Sequence, residues 1–104
     1  MKKVIAQAAS VAFLVATVQH ASADDQVAYG EYLSGECVTC HQTSGEDKGI
    51  PSIVGWDPEA FVAVMNSDRS KERENKVMIT IASALAHDEI AALAAYFKSI
   101  GPAE

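Results

Sequence analysis

The apolar residues of this chain open with a run from Val4 to Val18, interrupted only by Gln7, Ser10 and Thr17. From residue 24 onward they recur at helical spacing, and no stretch alternates convincingly as a strand would. Asp24 to Leu33 reads as a short first helix, with Val27, Tyr29, Tyr32 and Leu33 supplying an apolar face and Gly30 permitting a close helix contact. Residues 35 to 49 read as a loop, and Ile50 to Gly55 as an apolar turn anchored by Pro51. A second helix begins at Asp57-Pro58, where Asp is a good N-cap and the missing N–H of Pro costs nothing in the first turn. It should run to about Asn66 and bury Phe61, Val64 and Met65. Asp68 to Lys76 is a mixed-charge run without an apolar face. Val77 to Leu85 should include a short helix. In the last helix, His87 to Ile100, the residues Ile90, Leu93, Ala94, Phe97 and Ile100 recur at helical spacing as a core stripe. Gly101-Pro102 ends it. The expected fold class is therefore all-α.

The opening segment has a separate meaning. Met1-Lys2-Lys3, the apolar run and the small-residue site Ala21-Ser22-Ala23 have the order of a secretory signal peptide. The apolar run is short of the ~20 residues a membrane span needs. Residues 1–23 are thus expected to be a cleaved leader, and 24–104 one small domain, exported and soluble in the periplasm without stable membrane insertion. Cleavage would remove Lys2 and Lys3 and make the chain more acidic than its formal net charge of −6. Such a surface argues against nucleic-acid binding and against anionic membranes. A domain this small buries little core and often needs a staple. Two cysteines cannot supply a disulfide framework.

The chemistry lies in Cys37-Val38-Thr39-Cys40-His41. Two thiols three residues apart can each add to one vinyl group of a single haem, and the next residue then brings an imidazole to the iron. Three other uses of such residues compete. A structural zinc site needs four closed ligands, which His20 and His87 do not complete. A thioredoxin-like dithiol needs a βαβ context. A plain disulfide leaves His41 unexplained. The motif after a leader favours covalent haem attachment, one haem c per chain, because haem is attached to exported apocytochromes outside the cytoplasm. Haem would also give a small domain an apolar centre to fold around.

An electron carrier fills both axial positions of its iron. The candidates for the second ligand are Met65, Met78 and His87. Met65 sits on the apolar stripe of the second helix, where Met usually fills core. His87 stands beside Asp88 and Glu89 at a helix start. Met78 follows a polar loop and is favoured, making His41 and Met78 the expected metal ligands.

At these residues the chain resembles a class I cytochrome c. Gly30-x-Tyr32-Leu33, then Cys37-x-x-Cys40-His41, Ile50-Pro51-Ser52-Ile53-x-Gly55, Phe61 and Met65, Met78, and Leu93-Ala94-x-Tyr96-Phe97 fall in family order. Within that class it most resembles the cytochrome subunits of flavocytochrome c sulfide dehydrogenases, through Gly30-Glu31-Tyr32-Leu33, Ile50-Pro51-Ser52-Ile53 and Asp57-Pro58-x-x-Phe61-Val62-x-Val64-Met65. The resemblance implies a small cytochrome c fold of about four to five helices around one haem. It implies thioether bonds at Cys37 and Cys40, iron ligation by His41 and Met78, and a hydrogen bond from His41 to the carbonyl of Pro51. Gly30 and Tyr96 would mark the crossing of the first and last helices. The chain departs from the pattern in three places. Gln42 follows the motif in place of Gly. Ala86 stands where a Ser or Thr cap is common, so His87 or Asp88 would cap. The segment before Met78 is charged and lacks glycine.

Two readings of function follow. In the first, the chain carries single electrons, catalyses nothing itself, and meets redox proteins: a flavoprotein sulfide dehydrogenase subunit, a terminal oxidase or another cytochrome. In the second, an open or labile sixth position makes it a haem-based gas sensor. Arg69, Lys71, Arg73 and Lys76 could steer an acidic partner, but Asp68, Glu72 and Glu74 nearly cancel them, which favours a solvated loop. Trp56 could donate to a haem propionate or be partly buried core.

Overall fold

The computed structural model describes residues 22–47 and 49–102, with the isolated positions 10 and 12. The expected leader lies almost wholly outside these residues. Among them are five helices and no strands, in keeping with the expected all-α cytochrome c fold: α1 Ala23–Leu33, α2 Gly35–Val38, α3 Pro58–Arg69, α4 Lys76–Ser83 and α5 His87–Ser99.

Each start has a local cause. Ser22 caps α1, its Oγ accepting from the Asp25 N–H at 3.1 Å, and Asp24 and Asp25 lie in the first turn where the helix dipole favours acids. Asp57 caps α3 by accepting from Ala60 N–H at 3.1 Å, and Pro58 is its first residue. Asn75 caps α4 by accepting from Met78 N–H at 3.1 Å. For α5 the cap residue is Ala86, and neither His87 nor Asp88 takes that role. Glu89 reaches back instead, its carboxylate accepting from the Ala86 N–H at 2.8 Å, which is half of a capping box.

Two expected loops contain helix. The N–H groups of Cys37 and Val38 both donate to the carbonyl of Ser34, at 2.8 and 3.0 Å, and wind the start of the supposed loop into α2. The end of α3 runs on to Arg69 and closes in a Schellman motif. Glu72 N–H donates to Ser67 O at 2.9 Å and Lys71 N–H to Asp68 O at 3.0 Å. Lys71 takes the left-handed conformation (φ 63°) that glycine usually fills there.

α1 packs across α5, and α3 packs on both α4 and α5. The first crossing is made at Gly30. A Cβ there would come 2.0 Å from the carbonyl oxygen of Ala92 and 2.7 Å from Cβ of Tyr96. The face of α1 toward α5 is therefore the one that holds Gly30, and Leu33 packs against the core from it. Tyr32, two residues from Gly30, falls on the other side and is 82% exposed, so it is no part of the core. The α5 stripe is buried at Ile90, Leu93, Ala94 and Phe97, but Ile100, expected to continue it, lies past the last residue of α5 and is exposed. Phe97 stacks on Phe61 with ring centroids 5.9 Å apart and meets Tyr96 edge-on at 5.2 Å. Its carbonyl accepts from Gly55 N–H at 2.9 Å, which ties the apolar turn to α5.

Candidate functional site

Between the motif segment and the α3–α4 pair lies a cavity of about 530 Å³. Its walls are mostly apolar: Ile53, Trp56, Phe61, Val64, Met65 and Ile81 among them. Phe61, Val64, Met65 and Asp68 reach it from one face of α3 by their i, i+3, i+4, i+7 spacing.

All five site residues expected from the sequence border this cavity: Cys37, Cys40, His41, Pro51 and Met78. Cys37 ends up half-buried and Cys40 exposed, both as free thiols. Burial, with a smaller push from Glu36, raises the Cys37 thiol above its ordinary pKa. A raised pKa makes the Cys37 thiol itself a weaker nucleophile at neutral pH. Among the described residues, no three His, Cys, Asp or Glu side chains are grouped so as to hold a metal ion. The motif's own donors thus do not converge on one point, as a closed zinc site requires.

The imidazole of His41 is oriented by a single strong contact. Its Nδ1 lies 2.6 Å from the carbonyl oxygen of Pro51. A carbonyl only accepts, so Nδ1 carries the hydrogen, and in the neutral ring Nε2 is the nitrogen left to bind a metal. Pro51 lacks an N–H of its own and sits in the turn that Gly55 anchors to α5, so the acceptor is held by the core.

Met78 lies in the first turn of α4 and is partly buried, so the helix start presents it directly after the polar loop. The Asn75 cap on its N–H starts the helix at Lys76, inside the charged run. Met65 is buried and borders the same cavity, so both thioethers reach it. His87 does not border it. Its ring meets Arg69 instead, with Arg69 Nη1 donating to Nε2 at 2.9 Å. Trp56 is partly buried, packs on the core and borders the cavity.

Three residues of the charged run, Asp68, Arg73 and Asn75, line the cavity although the sequence reads that run as solvated. Asp68 was placed in a solvated charged run, yet it is fully buried. Arg73 Nη1 donates to its Oδ2 at 3.0 Å. The missed signal is its place seven residues after Phe61, on the stripe that holds Met65.

Comparison with known proteins adds two relatives. The chain is 35% identical over 72 residues to the cytochrome subunit of sulfide dehydrogenase from Chlorobaculum tepidum, covering 68% of this chain and 66% of that one. It is 35% identical over 74 residues to the thiosulfate dehydrogenase electron acceptor from Stutzerimonas stutzeri, covering 66% of this chain and 34% of that one. The chain belongs to the cytochrome c family. It spans about a third of the second of these relatives and just under two thirds of the first. No family model matches it.

Family membership implies haem, and the residues fit it. The cavity is apolar and roomy, as a porphyrin plate requires. An imidazole with a free Nε2 and two thioether side chains border it, which are the donors haem iron takes in cytochromes c. The two thiols lie along its edge rather than facing each other in a disulfide.

Proposed function

We propose that this chain is a periplasmic single-electron carrier holding one haem c. Cys37 and Cys40 would hold the group through thioether bonds, and His41 and Met78 would be the ligands to its iron. When bound, the haem supplies one-electron exchange at its iron. The chain's own residues do the rest. Pro51 holds the His41 ring in one tautomer and raises its basicity as a ligand. The apolar walls from α3 and α4 exclude water, and a Met/His ligand pair raises the potential relative to other ligand sets.

The observation that carries this reading is the His41–Pro51 contact at the edge of an apolar cavity that Met78 also borders. The names of the relatives, an electron acceptor and a cytochrome subunit of sulfur-compound dehydrogenases, favour electron transfer over the gas sensor. By the same likeness the partner would be the catalytic subunit of such a dehydrogenase, and catalysis would belong to it. The basic loop contributes less to docking than its composition suggests. Arg73 is engaged by the buried Asp68, and Arg69 by His87 at the surface. Export rests on the leader-like residues 1–23, and processing after Ala23 would remove the Ser22 cap of α1.

The ligand assignment is tested by spectroscopy of the haem-loaded protein. Unaltered protein should show the weak red-edge absorbance of thioether-ligated ferric haem and no binding of carbon monoxide in the ferrous form. Met78→Ala should lose the band and bind the gas, whereas Met65→Ala should keep the band. The reverse pattern would move the ligand to Met65. Gas binding by the unaltered protein would favour the sensor.

A further inference from the structure

Asp68 is the chain's least expected residue. Its side chain has no solvent exposure, yet it stands in the wall of a mostly apolar cavity. A buried carboxylate is costly, and a Leu or Met at this point of the stripe would pack without that cost. One oxygen, Oδ2, receives Arg73 Nη1 at 3.0 Å. The other, Oδ1, is buried without a hydrogen-bond partner among the described residues. Arg73 is 48% exposed and borders the same cavity. The pair therefore places its negative end inside and its positive end toward the mouth.

The chain path explains how the pair forms. The Schellman turn at Ser67–Glu72, with Lys71 in the left-handed region, reverses the chain at the end of α3. Arg73 returns over Asp68, and two residues later Asn75 caps α4 and takes the N–H of Met78. The ion pair thus clasps the base of the segment that presents Met78.

We propose that Asp68 is a positioning residue that clasps this segment through Arg73 and sets a fixed negative potential inside the cavity, favouring the oxidised state of its iron. The inference rests on the haem reading above. Oxidised iron carries one more positive charge than reduced iron. A nearby carboxylate in a low-dielectric wall stabilises the oxidised form, and the guanidinium opposes it. The two partners therefore act on the redox balance with opposite signs. A merely structural pair would act with one sign, because loosening Met78 changes the iron the same way whichever partner is lost.

The test poises haem-loaded variants at one fixed ambient potential and reads the reduced-to-oxidised ratio together with the red-edge ferric band. Asp68→Asn keeps an acceptor for Arg73, and should retain the band while raising the ratio several-fold. Arg73→Gln should retain the band and lower the ratio several-fold. Asp68→Ala, which removes the clasp, should weaken or abolish the band, so that the conservative variant rescues what Ala loses. Shifts of one sign in Asp68→Asn and Arg73→Gln, or no shift in either, would overturn the proposal. If Asp68→Asn does not fold, Arg73→Gln decides alone, since its side chain is half exposed: a ratio that stays put or rises overturns the proposal. Failure of the haem reading itself would show separately, as absent pigment or band in the unaltered protein.

Discussion

The two halves of this domain are built on different rules. Where α1 crosses α5, protein packs on protein, with backbone against backbone at Gly30 and Ala92 and with Ile90, Leu93 and Phe97 fully buried. Between the motif segment and the α3–α4 pair, side chains gather around a cavity of about 530 Å³, and even a buried carboxylate belongs to the wall. The first half is a frame whose demands are steric. The second half is a setting whose demands are chemical: an oriented imidazole, thiols along the edge, thioethers and a clasped loop. Stability and redox behaviour should therefore respond to different residues.

Substitutions can break or sharpen that contrast. The largest effect on stability is expected from Phe97→Ala, which removes the ring shared by Phe61 and Tyr96 and should cost about 3–5 kcal/mol in denaturant unfolding of the haem-loaded protein. Gly30→Ala drives a Cβ into the carbonyl of Ala92 and should cost about 1–3 kcal/mol, with the iron's absorbance unchanged in the protein that remains folded. Altered ligand spectra there would blur the division between frame and setting. Lys71→Gly should do the opposite and raise the melting temperature, by roughly 1 kcal/mol of stability, because glycine accepts the left-handed turn without strain. The smallest effect belongs to Tyr32→Ser, within about 0.5 kcal/mol, since that ring is 82% exposed. A large loss at Tyr32 would show that α1 buries a face other than the one at Gly30.

The frame was largely legible in the sequence. The Asp57-Pro58 start, the α5 stripe and the Gly101-Pro102 stop each carry a local signal strong enough to stand alone. The motif made the thiols and His41 legible as well, because their spacing is itself the chemistry. What escaped depends on contacts distant in sequence or on backbone hydrogen bonds that composition does not show. Asp68 reads as surface because its neighbours are charged, and only Arg73, five residues on, makes its burial tolerable. The start of α4 at Lys76 reads as loop because the Asn75 cap is one polar residue among many. Tyr32 reads as core because aromatic residues usually are, yet the helix phase is set by Gly30. Ala86 offers no capping side chain, and the compensating carboxylate lies three residues ahead at Glu89.

The central claim is a covalent one, and extraction tests it most directly. Protein made in a host that attaches haem to exported apocytochromes is denatured in acidified acetone, beside the Cys37→Ser, Cys40→Ser double variant. The account predicts that one haem stays with each unaltered chain and that none stays with the double variant. Pigment leaving the unaltered chain for the solvent, or a colourless product, would contradict it.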